Sequence, residues 1–186
     1  MKYEPEKYYH VYNRGANKGK IFLSQENYRY CLRLMHKYAI EYKISILAYC
    51  LMPNHYHFLF QQSLEGSIQR CIQTLFNAYT QAFNKQHQRS GTIFEGRAKA
   101  REVDSDLYAA QLCAYIHLNP VSAQLINTPE EWEFSDYKEW IDIRNSDRTD
   151  LSLRNCYFDN GEQYRDFIES QRMARVDEKL ERFMLD

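Results

Sequence analysis

Features typical of secreted, membrane and zinc-finger proteins are missing from this sequence of 186 residues. No apolar run is long enough to span a bilayer, and the first residues show no signal-peptide pattern, so we expect a soluble, cytoplasmic protein. The five cysteines are scattered without a Cys-x-x-Cys pair, which argues against a disulfide framework and a cysteine zinc site. There is no internal repeat. With 44% apolar residues, the chain is expected to fold as one domain, with or without a tail.

A large net charge is also missing, but the charge is unevenly distributed. The overall charge is −1, yet residues 1–101 have a net charge of +9, residues 102–150 of −8 and residues 151–186 of −2. Such asymmetry can produce a basic surface for a polyanion, unless the blocks interleave in space and cancel. Residues 85–101 alone carry a net charge of +4, with Ile93 and Phe94 between the basic residues. They could contact phosphates and bases, or form a solvated helix end and loop.

The apolar pattern predicts the order strand, helix, strand, strand, helix, strand, helix. The predicted strands cover residues 8–13, 44–50, 55–61 and 99–103, and the predicted helices cover residues 24–42, 67–88 and 105–119, the last ending before Pro120. Two hairpin strands between two helices are typical of an α+β, split βαβ, ferredoxin-like antiparallel sheet with helices on one face. The other face could carry a site. Residues 144–150 read as a linker, and residues 161–186 as one charged helix.

A His-x-His pair stands in the third predicted strand. Because side chains alternate faces along a strand, His55 and His57 point to the same side and Tyr56 to the other. The two imidazoles could bind one divalent cation, with a third ligand supplied from elsewhere. The alternative is a pair of partly buried structural histidines.

A tyrosine in the last predicted helix is the candidate nucleophile. Tyr115 and Asn119 are four residues apart and share a helix face, to which Gln111 also roughly belongs. A phenol with a pKa near ~10 is a poor nucleophile at neutral pH, so a cation nearby would help it attack a phosphodiester. A covalent phosphotyrosine keeps the bond energy for strand rejoining. The alternative is that Tyr115 packs in a core and Asn119 merely ends a helix.

Five stretches in the same order resemble the single-tyrosine HUH transposases of IS200/IS605 elements, and they look most like the REP-associated tyrosine transposase branch. The stretches are residues 9–15, 52–57, 91–99, 115–121 and 132–137. The resemblance covers roughly residues 5–140.

The resemblance implies a ferredoxin-like or RRM-like sheet and a divalent metal, Mg²⁺ or Mn²⁺, on His55 and His57. It implies that Tyr115 forms a 5′-phosphotyrosine linkage and releases a 3′-OH. Asn119 takes the place of the family's third metal ligand, with Glu102, Asp104 or Gln111 as substitutes.

The implied substrate is single-stranded DNA next to imperfect hairpins. Arg97, Lys99 and Arg101 would then contact phosphates, and Arg14 in a second basic loop is a further candidate.

We therefore expect a transposase and single-strand endonuclease domain over residues 1–142, with a linker and helical C-terminal extension over residues 143–186. Two alternatives stay open. One is a catalytically inactive nucleic-acid-binding module on the same fold, and the other is a hydrolase in which water attacks. The presence of His55, His57 and Tyr115 favours the transposase. A monomer and a homodimer are both compatible with the resemblance.

Overall fold

A computed structural model describes residues 2–173 and shows a four-stranded sheet with helices on both faces. The sheet has the strand order β2-β3-β1-β4, and every neighbouring pair is antiparallel. This is the predicted split βαβ, ferredoxin-like arrangement; two long helices lie on one face as predicted, and a third covers the opposite face. The elements are β1 (Tyr8–Arg14), α1 (Gln25–Glu41), β2 (Ile44–Met52), β3 (His55–Gln62), α2 (Ile68–Gln86), β4 (Lys99–Val103), α3 (Asp106–Ser122), α4 (Tyr137–Trp140), α5 (Ser152–Tyr157) and α6 (Gly161–Met173).

Helices α1 and α2 cover one face of the sheet, as predicted. Each begins at the serine that the sequence indicated, because the Ser24 and Ser67 side chains accept backbone N–H bonds from the first turn. Their apolar residues pack on the even-numbered side chains of β3, of which Tyr56 and Phe58 are fully buried. The Tyr56 ring stacks on Phe76 of α2 at a centroid distance of 4.3 Å. An aromatic core therefore lies on this side of β3.

Helix α3 packs on the opposite face of the sheet, which carries the odd-numbered side chains of β3. Ser105 caps its first turn, and the helix continues to Ser122 with Pro120 inside it. The predicted end at Asn119 is therefore wrong by about one turn. Pro120 removes one backbone donor near the helix end, where few intrahelical bonds remain to be lost. The carbonyls of Asn119 and Pro120 still accept bonds from Ala123 and Leu125.

The chain after α3 contacts two parts of the fold. One segment lies beside the edge strand β2, and α6 packs on the side of α3 that faces away from the sheet. Residues 143–151 contain no helix or strand, but the Asp150 N–H donates to the Ile46 carbonyl at 2.8 Å, so this segment follows the edge of β2. Tyr164 and Ile168 of α6 are fully buried in the same cluster as α3. The predicted charged helix is observed over Gly161–Met173, and its predicted continuation to residue 186 lies outside the described residues.

A buried polar network fixes α3 to its surroundings. The Asp136 carboxylate accepts bonds from the Tyr49 backbone N–H at 2.7 Å, the His117 Nε2–H at 2.9 Å and the Thr149 hydroxyl at 3.1 Å. The Tyr164 hydroxyl donates to His117 Nδ1 at 2.7 Å. Strand β2, helix α3 and helix α6 thus meet in one set of satisfied hydrogen bonds.

Four of the five cysteines are buried thiols, whereas Cys156 is exposed. In the part of the chain that the structure describes, no helix is long and apolar enough to cross a membrane.

Asp136→Ala should lower the free energy of unfolding by roughly 3 kcal/mol or more, because it leaves a backbone N–H, an imidazole and a hydroxyl without their buried acceptor. Urea denaturation measures the change. The matched control is Asp147→Ala, since the Asp147 side chain is 88% exposed and should change stability by less than about 0.5 kcal/mol. Equal effects of the two substitutions would contradict this role of Asp136.

Candidate active site

Strands β1 and β3 place four rings on the face of the sheet that α3 covers. The register pairs Tyr12 with His57 and Arg14 with His55, so the alternation of the two strands puts His10, Tyr12, His55 and His57 on one side. We call these four residues the histidine face. The His10 and Tyr12 rings stack at 4.7 Å, and the His55 and His57 rings meet edge to face at 5.1 Å.

Helix α3 brings Tyr115 and Asn119 to the histidine face. The Tyr115 ring is perpendicular to the His57 ring at a centroid distance of 5.7 Å. The Asn119 Oδ1 lies 3.2 Å from the His55 Nε2. The four residues singled out in the sequence for catalysis and metal binding thus lie together, and all come from one chain.

The surroundings of His55 determine which of its nitrogens carries a lone pair. The Asn54 Nδ2 donates to the Lys18 carbonyl at 3.3 Å, which turns the Asn54 Oδ1 toward His55 Nδ1 at 2.7 Å. In a neutral ring, Nδ1 therefore carries the proton and Nε2 presents its lone pair to Asn119. Burial keeps the ring neutral, since it lowers the pKa of His55 and outweighs the opposing effect of the Asn119 side chain.

The pair formed by His55 Nε2 and Asn119 Oδ1 suits a cation. Two lone pairs that face each other at 3.2 Å need a proton or a metal ion between them, and Asn119 Nδ2 is buried without a hydrogen-bond partner in the described structure. Turning the amide by 180° would instead let Nδ2 donate to His55 directly. Imidazole nitrogens with an amide oxygen form a donor set that accepts several divalent ions. The residues present therefore fit a divalent metal.

The donor set contains no carboxylate. Within residues 2–173, no group of three or more His, Cys, Asp or Glu side chains could hold a metal ion, so Glu102 and Asp104 do not join the two histidines. Glu102 is paired in register with Tyr9, on the other side of the sheet, and forms an ion pair with Lys7. Gln111 lies one turn before Tyr115, and the amide that contacts His55 is that of Asn119.

His57 is hydrogen-bonded to a third histidine. The His10 Nε2 lies 2.9 Å from the His57 Nδ1, and both side chains are buried. Burial lowers the pKa of His10 to about 3, with a smaller contribution from the positive charge of Arg101. Burial, together with His10 and His55, lowers the pKa of His57 well below 6.5. Both rings are therefore neutral at physiological pH.

The Tyr115 hydroxyl is protonated at neutral pH. Burial raises its pKa above 10, which outweighs the lowering effect of the nearby Asn119 side chain. The phenol sits at the edge of the histidine face and is half-buried. As a nucleophile it would need a positive charge nearby to stabilise the phenolate.

Basic side chains border the histidine face. Lys99 and Arg101 of β4 are paired in register with Tyr12 and His10 and lie on the same side, with the Lys99 Nζ 6.0 Å from the Tyr12 ring centroid. Arg14 is next to His55 but forms an ion pair with Glu95 across the neighbouring loop. Arg97 is exposed in the loop before β4.

Two residues of this site were not singled out from the sequence. His10 lies within the matching stretch of residues 9–15, and its alternation with Tyr12 and Arg14 along β1 could have placed it on a common face. Asn54 follows Pro53 in the hairpin turn, and nothing in its spacing indicates a contact with a neighbouring side chain.

The chain matches the family model described as "Transposase IS200 like" over residues 5–119. This chain belongs to the IS200-like transposase family. The matched residues extend from before His10 to Asn119 and include both histidines of the pair and Tyr115. As a member of a transposase family, the chain is a DNA-cleaving enzyme. No curated protein matches it.

One of the solved transposase structures that this chain resembles shares its fold. The structure of a REP-associated tyrosine transposase bound to a REP hairpin has 16% sequence identity and a TM-score of 0.63, and the match covers 82% of this chain and 93% of that chain. A putative transposase from Deinococcus radiodurans R1 has 19% identity and a TM-score of 0.44, with coverage of 62% and 95%. At 16% identity, the match to the REP-associated transposase shows a shared fold and nothing more.

Lowering the pH from 7 to 5 should destabilise the protein. The unfolded chain takes up a proton at His10 near pH 6.5, whereas the folded chain does so only near pH 3. The contribution of this residue is complete above pH 6.5 and decreases by up to about 1.4 kcal/mol per pH unit below it. Urea denaturation at pH 7, 6 and 5 should show that the free energy of unfolding falls less steeply with decreasing pH in His10→Gln than in the wild type. Identical slopes would contradict a buried, neutral His10.

Proposed function

We propose that this enzyme cleaves and rejoins single-stranded DNA next to a hairpin, with Tyr115 as the nucleophile. The observation that carries the proposal is the placement of Tyr115 on the histidine face, with its ring 5.7 Å from His57 and its helix neighbour Asn119 3.2 Å from His55. The hairpin is suggested by the ligand of the REP-associated relative. We also propose that the enzyme works in the cytoplasm.

In the proposed reaction, the Tyr115 oxygen attacks the phosphorus of the scissile phosphodiester. A bond forms between the tyrosine oxygen and phosphorus as the bond from phosphorus to the 3′ oxygen breaks. The phenol proton is released, and the leaving oxygen takes up a proton to become the 3′-OH. The 5′-phosphotyrosine is attacked by another 3′-OH in the reverse sense, which rejoins a strand without ATP.

We further propose that His55, His57 and Asn119 hold a Mg²⁺ or Mn²⁺ ion. When bound, such an ion stabilises negative charge on the phosphate and favours the phenolate. The neutral imidazoles and the amide oxygen then act as ligands, and the buried helix α3 keeps Tyr115 beside them.

The residues proposed for catalysis and metal binding all lie before residue 142. We propose that residues 1–142 form the catalytic domain and that residues 143–186 are a linker and helical extension. Within the extension, Tyr164 supports the catalytic helix through His117.

Tyr115→Phe should abolish a covalent protein–DNA adduct. The wild type, incubated with labelled hairpin-flanked single-stranded DNA and Mn²⁺, should give a shifted band on a denaturing gel. EDTA should remove the band, and His55→Ala should reduce it on the order of 100-fold or more because a metal ligand is lost.

The matched control is Tyr157→Phe, which removes a hydroxyl from an exposed tyrosine on α5 and should leave the adduct unchanged. Cleavage without an adduct that persists in Tyr115→Phe would support the hydrolase instead. Binding without any product from several hairpin substrates would support the inactive module.

Removing the charges of Lys99 and Arg101 together should weaken DNA binding in a salt-dependent way. We propose that these two side chains contact phosphates, as do Arg97 and, after it leaves Glu95, Arg14. Each lost contact to single-stranded DNA reduces the magnitude of the slope of log K against log salt by about 0.7. The slope of the variant with Lys99→Gln and Arg101→Gln should therefore be smaller in magnitude by about 1.4.

Fluorescence anisotropy at several salt concentrations measures this slope. The control is Lys37→Gln with Arg70→Gln, which removes the same charge from α1 and α2 on the other face of the sheet. A similar loss in both double variants would indicate a general charge effect and contradict the assigned contacts.

A further inference from the structure

His10 has no part in the chemistry proposed so far, yet it is fully buried beside the candidate metal ligands. Its Nε2 lies 2.9 Å from the His57 Nδ1, with the two ring planes inclined by 14°. The Tyr12 ring stacks on His10 from the neighbouring position of the same face. Both the distance and the orientation of the His10 ring are therefore fixed by packing.

A hydrogen bond between two neutral imidazoles holds one proton, and its position decides what His57 can do. When His57 Nδ1 donates to His10, the His57 Nε2 carries a lone pair and can bind a cation. When His10 Nε2 donates, the His57 Nε2 must carry the remaining proton of the ring and cannot be a ligand.

The other histidine of the pair shows the same arrangement. The Nδ1 of His55 faces the Oδ1 of Asn54, whose own amide is oriented by the Lys18 carbonyl. Each histidine thus has a separate partner at Nδ1, which leaves Nε2 on both rings for a common ligand. Partners of this kind fix the tautomer and orientation of metal-binding histidines.

We propose that His10 is a positioning residue that holds His57 with its proton on Nδ1 and thereby sets the affinity of the site for a divalent cation. The proposal rests on the metal-dependent function above, but it concerns binding of the ion and can be measured without DNA or turnover.

The test is Mn²⁺ binding to the full chain by isothermal titration calorimetry and by electron paramagnetic resonance. His10→Ala should weaken Mn²⁺ binding about 10- to 100-fold, the usual effect of removing such a partner. His10→Gln should recover most of the affinity, because its Oε1 can accept the His57 proton. His36→Ala, at a histidine on α1, is the matched control and should bind like the wild type.

A second readout follows the proton itself. Long-range ¹⁵N–¹H spectra of the metal-free wild type should show His57 protonated at Nδ1, and this measurement does not depend on whether His10→Ala folds. A proton on the His57 Nε2 in the wild type would overturn the proposal.

Binding data separate this inference from the proposed function. If the wild type binds Mn²⁺ and a folded His10→Ala binds within about twofold of it, His10 has no positioning role while the metal site stands. If the wild type itself binds no Mn²⁺, both the metal-dependent function and the role of His10 are wrong.

Discussion

The two-residue period of β3 is the constraint on which the rest of the molecule depends. Its even-numbered side chains, Tyr56 and Phe58 among them, are buried against α1 and α2 and hold the sheet in place. Its odd-numbered side chains, His55 and His57, are thereby forced to the opposite face. A slip of one residue would exchange the aromatic core and the histidines, so the same burial that stabilises the fold also fixes the candidate site.

Helix α3 has two contrasting sides, which explains how the proposed nucleophile, Tyr115, can be held firmly and still face the sheet. His117 faces a buried network with Asp136 and Tyr164, in which every hydrogen-bonding group of the imidazole is satisfied. Tyr115 and Asn119 lie on the other side of the helix, against the histidine face. The buried network around His117 therefore holds α3 rigidly in place, so that Tyr115 stays beside the histidine face.

The sequence was sufficient for the parts of this account that depend on local periodicity. Strand alternation predicted that His55 and His57 share a face, and helical spacing predicted that Tyr115 and Asn119 do. The contact of His10 with His57 depends on the pairing of two strands that are more than 40 residues apart, which no local pattern specifies. Pro120 predicts a helix end at Asn119, because proline disfavours helical geometry in the residue before it. The packing that carries α3 on to Ser122 cannot be derived from propensity.

The central claim is that docking of α3 on the sheet completes a cation site beside Tyr115. Anomalous diffraction from crystals grown with Mn²⁺ tests it most directly. The account predicts one strong peak within bonding distance of the Nε2 atoms of His55 and His57 and of the Asn119 Oδ1. A Mn²⁺ peak at Glu102 or Asp104 instead, or no peak between the two histidines at saturating Mn²⁺, would contradict it.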